Sequence, residues 1–218
     1  MARDGRVAEA GRLMDIQTPI APRHFSMIRD FQLADFFTLA NGGCGIAAIF
    51  LAVHFAASGS RNNIYLAAAL IIAALVFDVI DGRVARARHQ ASALGRELDS
   101  LADVISFGVA PAAIAYAVGL NTWIDSAVLI FFALCGLSRL ARYNVTAEAL
   151  DAVQRKVTHF EGTPIPTSVV PLAILVAAFS WNNLLATTVT DYPYHLSILP
   201  FAVSGCLMVS RTLRIPKL

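Results

Sequence analysis

The 218-residue chain carries too little charge and too much apolar surface for an ordinary soluble domain. Charged residues make up 15% and hydrophobic residues 57% of it, and the mean hydropathy is +0.63. A soluble domain carries about 25% charged and under about 50% apolar residues. A formal net charge of +2 gives no indication of a nucleic-acid-binding protein. Cys44, Cys135 and Cys206 lie singly in apolar blocks, a spacing that argues against a disulfide framework and a zinc site.

Apolar blocks recur along the whole chain, and a transmembrane helix needs about 20 apolar residues. Six segments meet that length: Phe36–Phe55, Ile64–Ala85, Gly95–Gly119, Trp123–Ala141, Pro164–Trp181 and Leu196–Leu213. No linker or repeat divides the chain, so we predict a single membrane domain over 1–218, with 1–35 as an N-terminal cytoplasmic or interfacial segment. The predicted fold class is all-α, a polytopic membrane protein with six transmembrane helices and short interfacial amphipathic helices.

Two segments beside these spans have the pattern of interfacial helices. Phe25–Phe37 mixes charged residues with Met27 and Ile28, and Leu150–Phe160 places its apolar residues on one helical face. We predict a short helix on the cytoplasmic surface at each. The alternative for both is a solvated linker.

The basic residues segregate to one side of the predicted bundle. With six spans, all of the 17 Lys and Arg except Arg61 fall on the side that holds both termini. Cytoplasmic loops are enriched in Lys and Arg. We therefore expect an integral membrane protein with both termini facing the cytoplasm.

Four aspartates cluster at the cytoplasmic ends of spans two and three. Asp78 and Asp81 fall within about 60° of each other on one helix, and Asp99 and Asp103 within about 40° on the next, at about 100° per residue. Four carboxylates that face one cavity repel one another unless a cation neutralises them, and oxygen ligands favour Mg²⁺ or Mn²⁺. The alternative is that these acids only mark the membrane interface.

Small and basic residues accompany the aspartates. Gly82, Ala85 and Gly95 leave room for a bulky group against the backbone, and Arg86 can hold a phosphate through two hydrogen bonds. A divalent cation, a phosphate-binding arginine and a spare carboxylate are the parts that metal-assisted phosphoryl transfer needs.

The aspartates, the small residues and Arg86 occur in a spacing that resembles a family signature. The stretch from Asp78 to Asp103 matches the pattern D-x-x-D-G-x-x-A-R-x8-G-x-x-x-D-x-x-x-D of the CDP-alcohol phosphotransferases at every fixed position. Softer similarity to the phosphatidylserine synthase branch covers Leu101–Pro111, Cys135–Asn144, Phe160–Pro166 and the Thr38, Asn41, Gly45 pattern.

The resemblance implies a transfer of the phosphatidyl group from CDP-diacylglycerol to serine, giving phosphatidylserine and CMP. It implies a site with two divalent ions, Mg²⁺ or Mn²⁺, in the cytoplasmic half of a homodimer among membrane lipids. Its bacterial and archaeal branch implies an integral protein of a prokaryotic inner or plasma membrane, with the active site facing the cytoplasm. By motif position the metal ligands would be Asp78, Asp81 and Asp99, with Asp103 sharing an ion and acting as general base. The CDP-lipid would be framed by Gly82, Ala85, Arg86 and Gly95.

Further polar residues in apolar surroundings admit two interpretations each. Asn41, one helical turn after Thr38, would contact either the CDP-lipid or a neighbouring helix, and we group both residues with the CDP-lipid site. Arg139 and Arg142 share a helical face, where they would bind the serine carboxylate or only anchor the helix at the interface. His195, near the opposite surface, is expected to be structural.

Two other functions remain open from the sequence. The acceptor could be glycerol 3-phosphate, inositol phosphate or inositol, since Arg139, Arg142, Arg155 and Lys156 could hold a phosphate. A cation transporter is a more distant alternative. It is disfavoured because all four aspartates lie toward one side of the membrane.

Overall fold

A computed structural model describes residues 33–88, 93–152, 159–181, 186–190, 192–210 and 214–216. These residues fold mainly into helices. The helices are α1 (Leu33–Ser58), α2 (Arg61–Arg88), α3 (Ala93–Asp103), α4 (Ala110–Val118), α5 (Trp123–Ala152), α6 (Val169–Ser180) and α7 (Leu199–Val209). The 3-10 turns Ile165–Ser168 and Leu196–Ile198 lead into α6 and α7.

Short strands accompany the helices. Strand β1 (His159–Glu161) pairs antiparallel with β4 (Arg214–Pro216), and β2 (Ala186–Thr190) pairs antiparallel with β3 (Tyr192–His195). The fold is thus helical with two small two-stranded ladders, which the sequence did not predict.

Among the described residues, four helical segments are long and apolar enough to cross a membrane: Ala34–Ser58, Arg61–Val84, Leu94–Val118 and Trp123–Thr146. Ile165–Ser180 and Leu196–Val209 are apolar but shorter, in the range of 10–17 residues. Large apolar side chains lie on the outside of the bundle; the side chain of Phe50 is 69% exposed and that of Ile130 is 61% exposed. Lipid would cover such a surface, and the architecture fits an integral membrane protein.

The sequence misplaced some boundaries. The predicted span Trp123–Ala141 lies within α5, whose candidate membrane segment runs on to Thr146 and whose helix runs on to Ala152. The amphipathic helix predicted over Leu150–Phe160 is wrong at its end, since Phe160 pairs with Ile215 in a strand. Most of the predicted helix Phe25–Phe37, and the end of the span Leu196–Leu213, lie outside the described residues.

A π-helical turn, Val104–Val109, joins α3 to α4 directly after Asp103. The N–H of Ala110 bonds to the carbonyl of Ile105, five residues earlier. Pro111 follows, and a proline lacks an N–H and clashes with the carbonyl four residues before it in an α-helix. The wider turn accommodates Pro111, and such turns are frequent at functional sites.

Helix α1 packs closely against this turn. A Cβ added to Gly45 would lie 2.5 Å from Oγ of Ser106 and 2.8 Å from its Cα. Glycine therefore lets the two backbones approach, and Oγ of Ser106 donates to the backbone carbonyl of Asn41 at 2.9 Å. This contact fixes α1 against the segment that follows Asp103.

Polar contacts also join neighbouring elements at the other end of the bundle. Nδ1 of His195 lies 2.7 Å from Oδ2 of Asp125, which is buried at the start of α5. The guanidinium of Arg61 lies 4.5 Å from the ring centroid of Phe179 and donates to its backbone carbonyl. The contact of His195 with Asp125 agrees with the structural role expected for His195.

Candidate active site

Three carboxylates converge where the C-terminal half of α2 meets α3. Asp78, Asp99 and Asp103 each offer one oxygen, and these oxygens all lie within 4.8 Å of one another. Asp103 is buried, and the other two are half-buried. The sequence predicted this meeting of helix faces, and the structure brings these three predicted residues together.

Asp81 lies beside this group but makes a different contact. Its Oδ2 accepts a hydrogen bond from Oγ1 of Thr38 at 2.8 Å, and the carbonyl oxygen of Ala34 lies 3.3 Å from the same hydroxyl. Asp81 is buried, and its charge acts on Asp78 and Asp99. Thr38 thereby connects α1 to the aspartate pair of α2.

Asn41 contacts Asp103 directly. Its Nδ2 donates to Oδ1 of Asp103 at 3.1 Å, and its side chain is fully buried. Of the two interpretations of Asn41, a partner on a neighbouring helix is thus observed. Oδ1 of Asn41 is buried without a hydrogen-bond partner among the described residues, so this amide retains an acceptor for a further group.

Two arginines of α5 lie at the same end of the bundle. Arg139 is buried, and its charge interacts with those of Asp103 and Arg142. Nε of Arg139 and Nε of Arg142 are both buried with no hydrogen-bond partner in the described part of the chain. Buried guanidinium donors are costly when unpaired, so these two N–H groups are available to an acceptor from a bound molecule.

The donor set fits a divalent cation. Oδ1 of Asp99 is buried without a hydrogen-bond partner among the described residues, and it belongs to a group of three carboxylates. Clustered negative oxygens in an apolar surrounding repel one another, and a hard cation removes that cost. The aspartates thus form a group that could hold a metal ion.

For the residues predicted to frame the CDP-lipid, the structure gives the positions in the helices but little about their contacts. Gly82 follows Asp81 in α2, and Gly95 precedes Asp99 by one turn in α3. Ala85 and Arg86 lie within α2, but their side chains are outside the described residues. Their contacts with a nucleotide stay a prediction.

One polar link near the site was not found from the sequence. Nδ2 of Asn144 in α5 donates to Oγ of Ser100 at 2.9 Å and to Oε1 of Glu97 at 3.3 Å. The link ties α5 to the helix that carries Asp99 and Asp103. Asn144 stands in the stretch that resembles known synthases, but its partner could be identified only from the tertiary structure.

Comparison with known proteins assigns the family. The family model described as CDP-alcohol phosphatidyltransferase matches residues 31–205. The chain belongs to the CDP-alcohol phosphatidyltransferase family. The match covers α1 to the first part of α7 and includes all four aspartates, as the signature predicted.

Three curated relatives share the name CDP-diacylglycerol–serine O-phosphatidyltransferase. The protein of Saccharomyces cerevisiae is 41% identical over 92% of this chain and 80% of its own length. That of Bacillus subtilis is 35% identical over 68% of this chain and 76% of its own. That of Methanocaldococcus jannaschii is 33% identical over 85% and 87%. Similarity to this group of the CDP-alcohol phosphatidyltransferase family thus spans bacterial, archaeal and eukaryotic proteins.

Proposed function

We propose that the protein transfers the phosphatidyl group of CDP-diacylglycerol to L-serine, which gives phosphatidylserine and CMP. The observation that carries the proposal is the convergence of Asp78, Asp99 and Asp103, in the family's own spacing, beside two arginines whose Nε atoms lack partners in the described region. The similar proteins of yeast, Bacillus and Methanocaldococcus are all named as serine enzymes, which supports serine as the acceptor.

The divalent ions, Mg²⁺ or Mn²⁺, would be held by Asp78, Asp81, Asp99 and Asp103. The family signature favours a site with two ions. Bound there, the ions would neutralise the charge of the diphosphate and of the departing CMP. Gly82, Ala85, Arg86 and Gly95, with Thr38 and Asn41, would frame the CDP-lipid. The bonds of Thr38 to Asp81 and of Asn41 to Asp103 then order the carboxylates as well.

Asp103 is proposed as the general base. Asn41 donates to Oδ1 of Asp103, so the second oxygen can take the proton of the serine hydroxyl. The serine oxygen then forms a bond to the phosphorus nearer the lipid. The bond between that phosphorus and the oxygen it shares with CMP breaks, and CMP leaves with the electron pair. Transfer to a positioned base of this kind contributes about 10²–10⁴ in rate.

Arg139 and Arg142 are proposed to bind the serine carboxylate. A guanidinium matches a carboxylate with two parallel hydrogen bonds. The position of Arg139 within electrostatic range of Asp103 would put the bound serine beside its base. This role uses the buried Nε atoms that an interfacial anchor would leave in water.

The membrane topology and the oligomeric state are also part of the proposal. We infer six membrane spans, with α6 and α7 and their 3-10 turns as the two shorter ones, in a single domain over 1–218. Both termini and the site would face the cytoplasm, in the inner or plasma membrane if the source is a prokaryote. A homodimer is proposed from the family resemblance.

The competing acceptor is a phosphorylated alcohol, because the two arginines that suit a carboxylate also suit a phosphate. Purified protein in detergent, supplied with CDP-diacylglycerol and Mg²⁺, tests this when serine, glycerol 3-phosphate, inositol and inositol phosphate are offered separately. CMP release should require serine. Equal or faster release with glycerol 3-phosphate would overturn the serine assignment and leave the family assignment intact.

A further inference from the structure

The segment Gly162–Ser168 contacts α5, which bears Arg139, and the π-helical turn that begins directly after Asp103. Its central residue, Ile165, is 1% exposed. A Cβ added to Gly136 of α5 would lie 2.7 Å from Cδ1 of Ile165, and one added to Gly108 of the π-helical turn would lie 3.9 Å from it. Ile165 thus fills the space between two glycines, one on each element.

Each glycine lies close in sequence to a proposed functional residue. Gly136 precedes Arg139 by three positions, one turn along the same face of α5. Gly108 lies in the turn that begins directly after Asp103. The side chain of Ile165 therefore lies between α5, which carries Arg139, and the turn that follows Asp103.

The segment that carries Ile165 is itself held in place. Gly162 has φ +75, and a Cβ there would lie 2.4 Å from the carbonyl oxygen of Met208, so only glycine fits. The N–H of Thr163 donates to the carbonyl of Leu207, and the N–H of Thr167 donates to that of Pro164. The contacts of Gly162 and Thr163 with the end of α7 thereby hold the segment that carries Ile165 in place.

We propose that Ile165 is a positioning residue for the acceptor site: it acts as a wedge that sets the spacing between Arg139 on α5 and Asp103 before the π-helical turn. This inference rests on the proposed function, because it assumes that these two groups bind and activate the same acceptor. A wedge of this kind acts on the acceptor without touching it. The CDP-lipid, whose proposed contacts lie on α1, α2 and α3, should be little affected by it.

Complementary changes of volume on the two sides of the contact give the test. Gly136→Ala adds a methyl group where Cδ1 of Ile165 lies, and Ile165→Val removes that Cδ1. Extra volume in a packed core forces side chains and backbone to shift, so the added methyl group should push α5 away from Ile165. Gly136→Ala should raise the KM for serine about tenfold and leave the KM for CDP-diacylglycerol within about twofold. The double variant should return the serine KM to within about threefold of the parent value.

Ile64→Val is the matched control, since Ile64 is equally buried at the opposite end of α2. It should leave both Michaelis constants unchanged, with thermal unfolding in detergent followed for every variant. If Gly136→Ala lowers only the unfolding temperature, or if the double variant shows no recovery of the serine KM, the wedge is refuted. If the parent protein instead uses glycerol 3-phosphate, the serine proposal fails by itself, and the same variants measured with that acceptor still decide the wedge.

Discussion

Asp103 belongs to two sets of contacts at once. Its carboxylate is one of three whose oxygens lie within 4.8 Å of one another, and it accepts a hydrogen bond from Asn41. If the residue is a general base, a change to asparagine removes proton acceptance. If it is only a metal ligand, the same change weakens metal binding. The contacts therefore allow the two roles to be separated by experiment.

Replacing Asp103 by Asn keeps the size of the side chain and removes proton acceptance. We expect turnover to fall by about 10²–10⁴, the usual contribution of a general base, while CDP-diacylglycerol binding persists. Steady-state CMP release and equilibrium binding of the CDP-lipid are the two measurements. Asp78→Asn is the comparison, and it should weaken metal and lipid binding as well. If both variants lose lipid binding equally, Asp103 is chiefly a ligand and the base lies elsewhere.

Metal dependence is a second prediction at this scale. Chelation of divalent ions should abolish CMP release, and Mg²⁺ or Mn²⁺ should restore it, because three clustered carboxylates otherwise repel one another. Binding of Mn²⁺, followed by its magnetic resonance signal, should weaken in Asp99→Ala. Undiminished turnover in excess chelator would contradict the metal site.

For the two arginines of α5 we predict that substitution changes the KM for the acceptor and not the KM for the lipid. Arg142→Lys keeps the charge but loses the planar pair of donors, and charge-assisted bonds contribute about 1.5–3 kcal/mol. The KM for serine should rise roughly tenfold to a hundredfold, with the KM for CDP-diacylglycerol nearly unchanged. Arg139→Lys should act in the same direction. Ethanolamine, which lacks the carboxylate, should be a poor acceptor that loses little more in either variant. Normal serine kinetics in both variants would identify the arginines as interfacial anchors.

Among the elements, α1 shows how a single glycine positions the site. Gly45 lies against the backbone of Ser106, whereas a Cβ on Gly43 would meet no atom of another element within 4 Å in the described part of the chain. Gly45→Ala should lower the unfolding temperature in detergent and reduce turnover, since its clash involves backbone that follows Asp103. Gly43→Ala, two residues away in the same helix, should be neutral or stabilising by up to about 1 kcal/mol, because alanine favours helix. Equal behaviour of the two variants would show that the close approach of α1 does not matter.

The sequence could predict the elements whose signals are local. Apolar length located the four long spans, and the spacing of Asp78, Asp99 and Asp103 placed their side chains on helix faces that do meet. The π-helical turn depends on how Pro111 is accommodated, and pairing of Phe160 with Ile215 joins residues far apart in the chain. Those features, like the Ile165 contact, arise only when the helices pack.

For the molecule as a whole, the number of membrane crossings is still a proposal. Six spans place the strands β2 and β3, between α6 and α7, outside the cell, whereas four spans would leave them inside. In a variant whose three native cysteines are replaced, Ser60→Cys and Thr188→Cys should both react with a membrane-impermeant maleimide on intact cells. Lys217→Cys should react only after the membrane is opened. Protection of Thr188→Cys in intact cells, with labelling of Ser60→Cys, would contradict the six-span arrangement.

The most direct test of the central claim follows one oxygen atom. Purified protein is given CDP-diacylglycerol and serine whose hydroxyl carries a heavy oxygen isotope, together with unlabelled glycerol 3-phosphate and inositol phosphate as competitors. Mass spectrometry of the products should find the heavy oxygen in phosphatidylserine and unlabelled CMP in equal amount, because the serine oxygen forms the new bond to phosphorus. A lipid product whose headgroup is glycerol phosphate or inositol phosphate instead of serine would contradict the account. Heavy oxygen in CMP would contradict it as well.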